Sequence, residues 1–162
     1  MKNNKSCKMV KALRAVILLV GVLMVLFCIF IVPLVKNECT YVYPEYASYA
    51  FPAMIYLYIT AIPFFIALFS VVKICGYVAN DQPFSEQNVR LLHIIEGCAG
   101  SEMVFYTALL VALSAVNLLH PSLFILFTVI DLTAVVLLLF SAVLAALVHR
   151  ARELQEETKL TI

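Results

Sequence analysis

Four long stretches of this chain carry almost no charge. They cover about residues 15–35, 47–72, 97–119 and 122–148, with short polar intervals between them. A helix needs about 20 apolar residues to cross the hydrocarbon core of a bilayer, and each stretch is long enough to do so. A soluble fold is excluded by the same pattern. Covering a soluble surface takes roughly a quarter of the residues as charged ones, whereas 13% are charged here and 64% are hydrophobic. The sequence therefore predicts an all-α integral membrane four-helix bundle, a single transmembrane domain over residues 1–162 with a tail at 149–162. The first stretch has a basic flank like that of a secretion signal. It is longer than a signal's apolar region and lacks a small-x-small cleavage site, so it is read as a retained span.

The positions of Lys and Arg set the expected orientation, because cytoplasmic loops carry the excess of these residues. The N-terminal segment has Lys2, Lys5, Lys8, Lys11 and Arg14. The interval after the second span has Lys73 and Arg90, and the tail has Arg150, Arg152 and Lys159. The interval after the first span has only Lys36, and the third interval has none. Both termini and the middle interval are thus expected in the cytoplasm, with the protein a multi-pass resident of the cell membrane. The outer surface reduces to residues 36–46 and the turn at His120-Pro121. Tyr41, Tyr43, Tyr46 and Tyr49 there suit an interfacial aromatic belt.

The sharpest local signal is Asp81-Gln82-Pro83-Phe84-Ser85-Glu86-Gln87-Asn88. Pro83 ends what precedes it, Ser85 is a good N-cap, and Glu86 complements the helix dipole in the first turn. Glu86, Arg90, His93 and Gly97 then fall on one stripe, with Val89, Leu92 and Ile95 on another. The third helix is accordingly expected to extend two to three turns into the cytoplasm before it enters the membrane. The hairpin of helices three and four would bring this polar stripe beside the tail, whose Glu153, Glu156 and Glu157 suit a basic partner. Ser85, Asn88, Arg90, His93, Glu153, Glu156 and Glu157 form the candidate interaction surface.

The element Pro83-Phe84-Ser85-x-x-Asn88, followed by Leu91 and Ile95 at helical spacing, resembles the bacterial four-span membrane proteins grouped as domain of unknown function 2975. The ending Glu153 to Ile162, with its acidic stretch and final Leu160-Thr161-Ile162, is similar to that family's ending. Relatives tend to have glycine where this chain has Asp81. The resemblance implies no enzymatic activity. It also implies a partner, since members are often encoded beside a small helix-turn-helix transcription regulator.

Two acids fall inside the membrane. Asp131 interrupts the fourth span, where an ionised carboxylate costs several kcal/mol unless it is paired, hydrated or protonated. A hairpin centred on 120–121 sets it level with Leu110, with Thr107, Ser114, Thr128, Tyr56 and Thr60 as candidate partners. Its expected role is interhelical hydrogen bonding. Glu102 follows the small residues Gly97-Cys98-Ala99-Gly100-Ser101, which let helices approach closely, and is expected to pair with Lys73 or Arg14 in the inner leaflet. Pro63 is expected to kink the second span.

No HExxH, GxSxG or phosphate-binding glycine loop occurs. The five cysteines and three histidines show no metal-ligand spacing. The reading is therefore a non-enzymatic membrane protein with no catalytic residue, metal or cofactor. It sits in the lipid bilayer, binds no nucleic acid directly, and is compatible with a homo-oligomer. It would bind a cytoplasmic protein such as a helix-turn-helix regulator. The competing readings are a small proton- or ion-coupled transporter or channel subunit using Asp131, and a peptide-immunity or stress-resistance membrane protein.

Overall fold

A computed structural model describes the backbone of residues 2–42, 47–79, 85–117, 119 and 121–160, and their side chains apart from 2–9, 35, 38, 39, 42 and 155–160. The described chain is helical throughout its elements: α1 (Lys2–Leu26), a π-helical turn (Phe27–Ile31), α2 (Val32–Val42), α3 (Ala47–Ala79), α4 (Glu86–Ala115) and α5 (Pro121–Leu160). Four segments are long and apolar enough to cross a membrane: Val10–Leu34, Ala47–Ala79, Glu86–Ala115 and Pro121–Leu154. Large apolar side chains cover their outer faces, among them Phe30, Val136 and Phe140. Lipid solvates such a surface; water would not.

The first span is one continuous rod from α1 through α2, since Leu26 and Val32 on either side of the π turn keep right-handed helical dihedrals. Pro33 accounts for the π turn. It has no N–H to offer, and its ring would clash with the carbonyl four residues back. The chain responds by widening one turn, so that the Val32 N–H donates to the Phe27 carbonyl. The Cys28 carbonyl then receives no bond from Val32, and Pro33 has none to give. Tyr58 of α3 fills the vacancy, its hydroxyl donating to the Cys28 carbonyl at 2.9 Å. A carbonyl left bare in hydrocarbon is costly, so this bond also fixes where α1 docks on α3. The rod continues to Val42, and residues 36–42, expected as loop, are helical. Tyr41 and Tyr49 are exposed, and Lys36 lies 5.4 Å from the centre of the Phe51 ring. Tyr43 and Tyr46 lie outside the described residues.

Each rod packs antiparallel on the next, α4 most extensively on α5, then on α3, with α1 and α2 on α3. The buried positions are mostly small, including Ala61, Cys75, Ala99, Ala134, Ser141 and Ala145, as expected where helices must approach without a hydrophobic driving force. The hydroxyls of Thr60 and Ser70 bond back to the carbonyls of Leu57 and Ile66 in α3, so neither is an unsatisfied donor. Pro63 stays inside a continuous α3, buried toward the centre of the bundle.

Ser85 caps α4 as the sequence predicts: its backbone is extended and its hydroxyl accepts from the Asn88 N–H at 3.3 Å. The other end differs from expectation. α4 stops at Ala115 rather than running to Leu119, and Asn117 takes a left-handed conformation at φ 55°. Asparagine tolerates that region because its short amide can bond locally, which makes it a helix terminator second to glycine. The Asn117 N–H donates to the Ser114 carbonyl at 3.1 Å. Pro121 does not end α4 but opens α5, a position where its missing N–H costs nothing. His120 lies outside the described residues.

Candidate functional site

The earlier end of α4 moves the hairpin pivot to about residue 119, and every pairing across α4 and α5 moves with it. Thr107, not Leu110, is level with Asp131, and its hydroxyl donates to Asp131 Oδ2 at 3.1 Å. Gly100 faces Leu138, whose Cδ1 lies 3.6 Å from where a Cβ would stand. Glu86 faces Arg152. The shift is under one helical turn, which is enough to change the partner of each polar group.

Of the expected partners of Asp131, Thr107 is the one that bonds it. The Thr128 hydroxyl turns to the Phe124 carbonyl of its own helix, and the Tyr56 hydroxyl donates to the Phe105 carbonyl. Ser114 is exposed and lies nearer the α4–α5 turn. Asp131 Oδ1 is buried and accepts no hydrogen bond. The contact is what interhelical hydrogen bonding requires, a donor on one helix and an acceptor on the other, though only half of the carboxylate is used.

Glu102 departs from its expected role. No ion pair joins it to Lys73 or Arg14 among the described residues. The Lys73 ammonium instead stacks on the ring of Phe69, 4.7 Å from its centre. Glu102 faces the centre of the bundle, where its Oε2 is buried without a hydrogen-bond partner. Of the small residues before it, Ala99 is buried and Gly100 faces α5, whereas Gly97 has open space around it.

At the polar end of the bundle, the start of α4 and the far end of α5 form one cleft lined by Glu86, Val89, Arg90, His149, Arg152 and Glu153. Glu86 is its hub. It accepts from Arg152 Nη1 at 3.3 Å and lies 3.6 Å from Arg90 Nη2 on its own helix. His149 Nδ1 is 3.4 Å from Glu153 Oε1. His93 pairs within α4, 3.0 Å from Glu96 Oε2, rather than with the tail. Asn88 is 2% exposed, so it belongs to the packing of the helix start and not to an open surface. The backbone of Glu156 and Glu157 continues α5, and their side chains lie outside the described residues. Exposed pairs of this kind contribute at most about 1 kcal/mol each, so the cleft is a charged surface more than a clamp. Sequence reasoning missed the Glu86–Arg152 bond, which needs the correct pivot to be seen.

Residues 34–162 match the family model described as "Protein of unknown function (DUF2975)". The chain belongs to the DUF2975 family. A relative of the same length class is the "Uncharacterized membrane protein YoaS" of Bacillus subtilis (strain 168), 32% identical over 152 residues, which are 93% of this chain and 95% of the relative. No solved structure matches. The acids, the Ser85 cap and the charged cleft all lie inside the DUF2975 match, while α1 and the π turn precede it, and the likeness to YoaS, over 93% of the chain, reaches into them. Membership in DUF2975 agrees with the four membrane-capable helices: the chain is a membrane protein.

Proposed function

We propose that this protein is a non-catalytic component of the bacterial cell membrane with both termini in the cytoplasm, and that its polar end binds a cytoplasmic protein, of which a helix-turn-helix regulator is the expected kind. The observation that carries this reading is the exposed charged cleft built jointly by α4 and α5. α5 has 40 residues, about 60 Å of helix at ~1.5 Å per residue, against a hydrocarbon core of roughly 30 Å. Much of it therefore stands clear of the membrane, with the excess of Lys and Arg at the same end of the bundle. Glu153, Glu156 and Glu157 give this projection an acidic tip suited to a basic partner.

Removing residues 153–162 tests it. The truncation takes away no membrane span, and exposed termini usually tolerate loss, so the bundle is expected to accumulate normally. Co-purification of cytoplasmic partners from membranes is expected to fall at least several-fold. Glu156→Lys with Glu157→Lys is expected to mimic the loss, more strongly at low salt, because exposed charges act within a Debye length of about 10 Å. A truncated protein that retained every partner of the full chain would remove the tail from the mechanism.

A further inference from the structure

A crevice of about 360 Å³, open on one side, lies among α1, α3, α4 and α5. Its wall is almost wholly apolar, with Pro63 and Phe64 from α3, Ile95 from α4, and Ile130 and Leu137 from α5. Its hydroxyl groups are largely committed elsewhere: Thr60 donates to the Leu57 carbonyl and Thr133 to the Val129 carbonyl, each within its own helix. Glu102 is the exception. Its carboxylate faces the crevice with Oε2 buried and unbonded, and among the described residues no Lys, Arg or His lines the space. Tyr106 lines it too, its ring 5.8 Å from that of Phe127. α1 makes its close helix contacts with α3 and gives the lining only Met24, and the lining residues Val129 and Leu137 of α5 are exposed, so the crevice opens toward lipid.

We propose that this cavity binds a lipophilic organic cation, an ammonium or phosphonium centre carrying apolar substituents, with the Glu102 carboxylate as its counter-ion. A carboxylate in hydrocarbon is strongly disfavoured without a partner, and the described residues supply none to Oε2. A cation entering with its own apolar groups supplies that partner and covers the wall at once. The low local dielectric strengthens the pair, and the Tyr106 ring adds an aromatic face for the cation. The volume falls within the ~300–1,000 Å³ typical of small-molecule sites. Lipophilic cations also partition into membranes, so the open side between Met24 and the exposed Val129 and Leu137 is a reachable entrance. The proposal stands on the cavity and does not depend on the cytoplasmic partner.

Two probes of one shape and opposite charge test it. Radiolabelled tetraphenylphosphonium is expected to bind the purified full-length protein saturably in equilibrium dialysis, and tetraphenylborate is expected not to compete. Glu102→Gln keeps the shape and removes the charge, and is expected to weaken binding at least tenfold. Ala134→Phe keeps the charge and fills the space, since Ala134 is 7% exposed and lines the cavity; it is expected to block binding. Size-exclusion profile and helicity establish that each variant is folded. Absence of saturable binding to the wild type, equal competition by tetraphenylborate, or unchanged binding to folded Glu102→Gln would each overturn the proposal. Should Glu102→Gln not fold, Ala134→Phe decides: retained binding contradicts the site, and lost binding supports it.

Discussion

Asp131→Lys is expected to abolish accumulation of folded protein in the membrane, while Asp131→Asn folds nearly as well as the parent. Residue 131 follows the start of α5 at Pro121 by about 15 Å of helix at ~1.5 Å per residue, near the middle of a hydrocarbon core of roughly 30 Å. Lysine there costs about 2.5–3.5 kcal/mol on insertion scales, and its ammonium cannot accept the bond that Thr107 donates to Asp131 Oδ2. Asparagine retains an acceptor oxygen in the same place. Interhelical hydrogen bonds in membranes average about 0.6 kcal/mol, so weakening one is a small effect. The yield of monodisperse protein after detergent extraction distinguishes the two. Equal yields for lysine and asparagine would mean that Asp131 does not lie at membrane depth. Loss of a measurable ion flux in a folded Asp131→Asn protein would instead favour the transporter reading.

Gly21→Leu is expected to detach the first rod from the rest of the bundle. α1 meets α3 along the stripe Ile17, Gly21, Met24, Cys28 and Val32, while most positions between them are exposed. A Cβ at Gly21 would stand 2.8 Å from Leu68 Cδ2. That atom ends a flexible side chain, so Gly21→Ala is expected to be absorbed by a Leu68 rotamer change. Leucine has no such room: overpacking at a helix contact costs about 1–3 kcal/mol, and here it also separates the Tyr58 hydroxyl from the Cys28 carbonyl. A lower thermal midpoint in detergent for leucine than for alanine is the expected result. Equal midpoints would show that α1 does not pack through this face.

Much of the fold was legible because the membrane imposes a coarse rule. Four apolar runs of sufficient length give four spans, and a serine after Pro83-Phe84 gives a helix start. What was not legible lies where that rule is silent. The first span is apolar on every side, so no periodicity marks the stripe from Ile17 to Val32 that faces α3; Gly21 alone hints at it. The π turn needed the link between Pro33 and the Tyr58 hydroxyl, residues far apart in sequence. The α4–α5 register was misjudged because Asn117 was read as part of an apolar run when it terminates the helix. That one residue displaced Asp131 from Leu110 to Thr107 and hid the pairing of Glu86 with Arg152. The ion pair assigned to Glu102 assumed that nearby cations reach inward, whereas the Lys73 stem lies along α3 with its ammonium over Phe69.

The proposed function requires that the α4–α5 cleft and both termini share the cytoplasmic side. Reporter fusions after Ile162 and within residues 36–46 measure this directly. The account predicts opposite sidedness, with the C-terminal fusion in the cytoplasm and the 36–46 fusion outside. The same sidedness at both sites, or an external C-terminus, would contradict it.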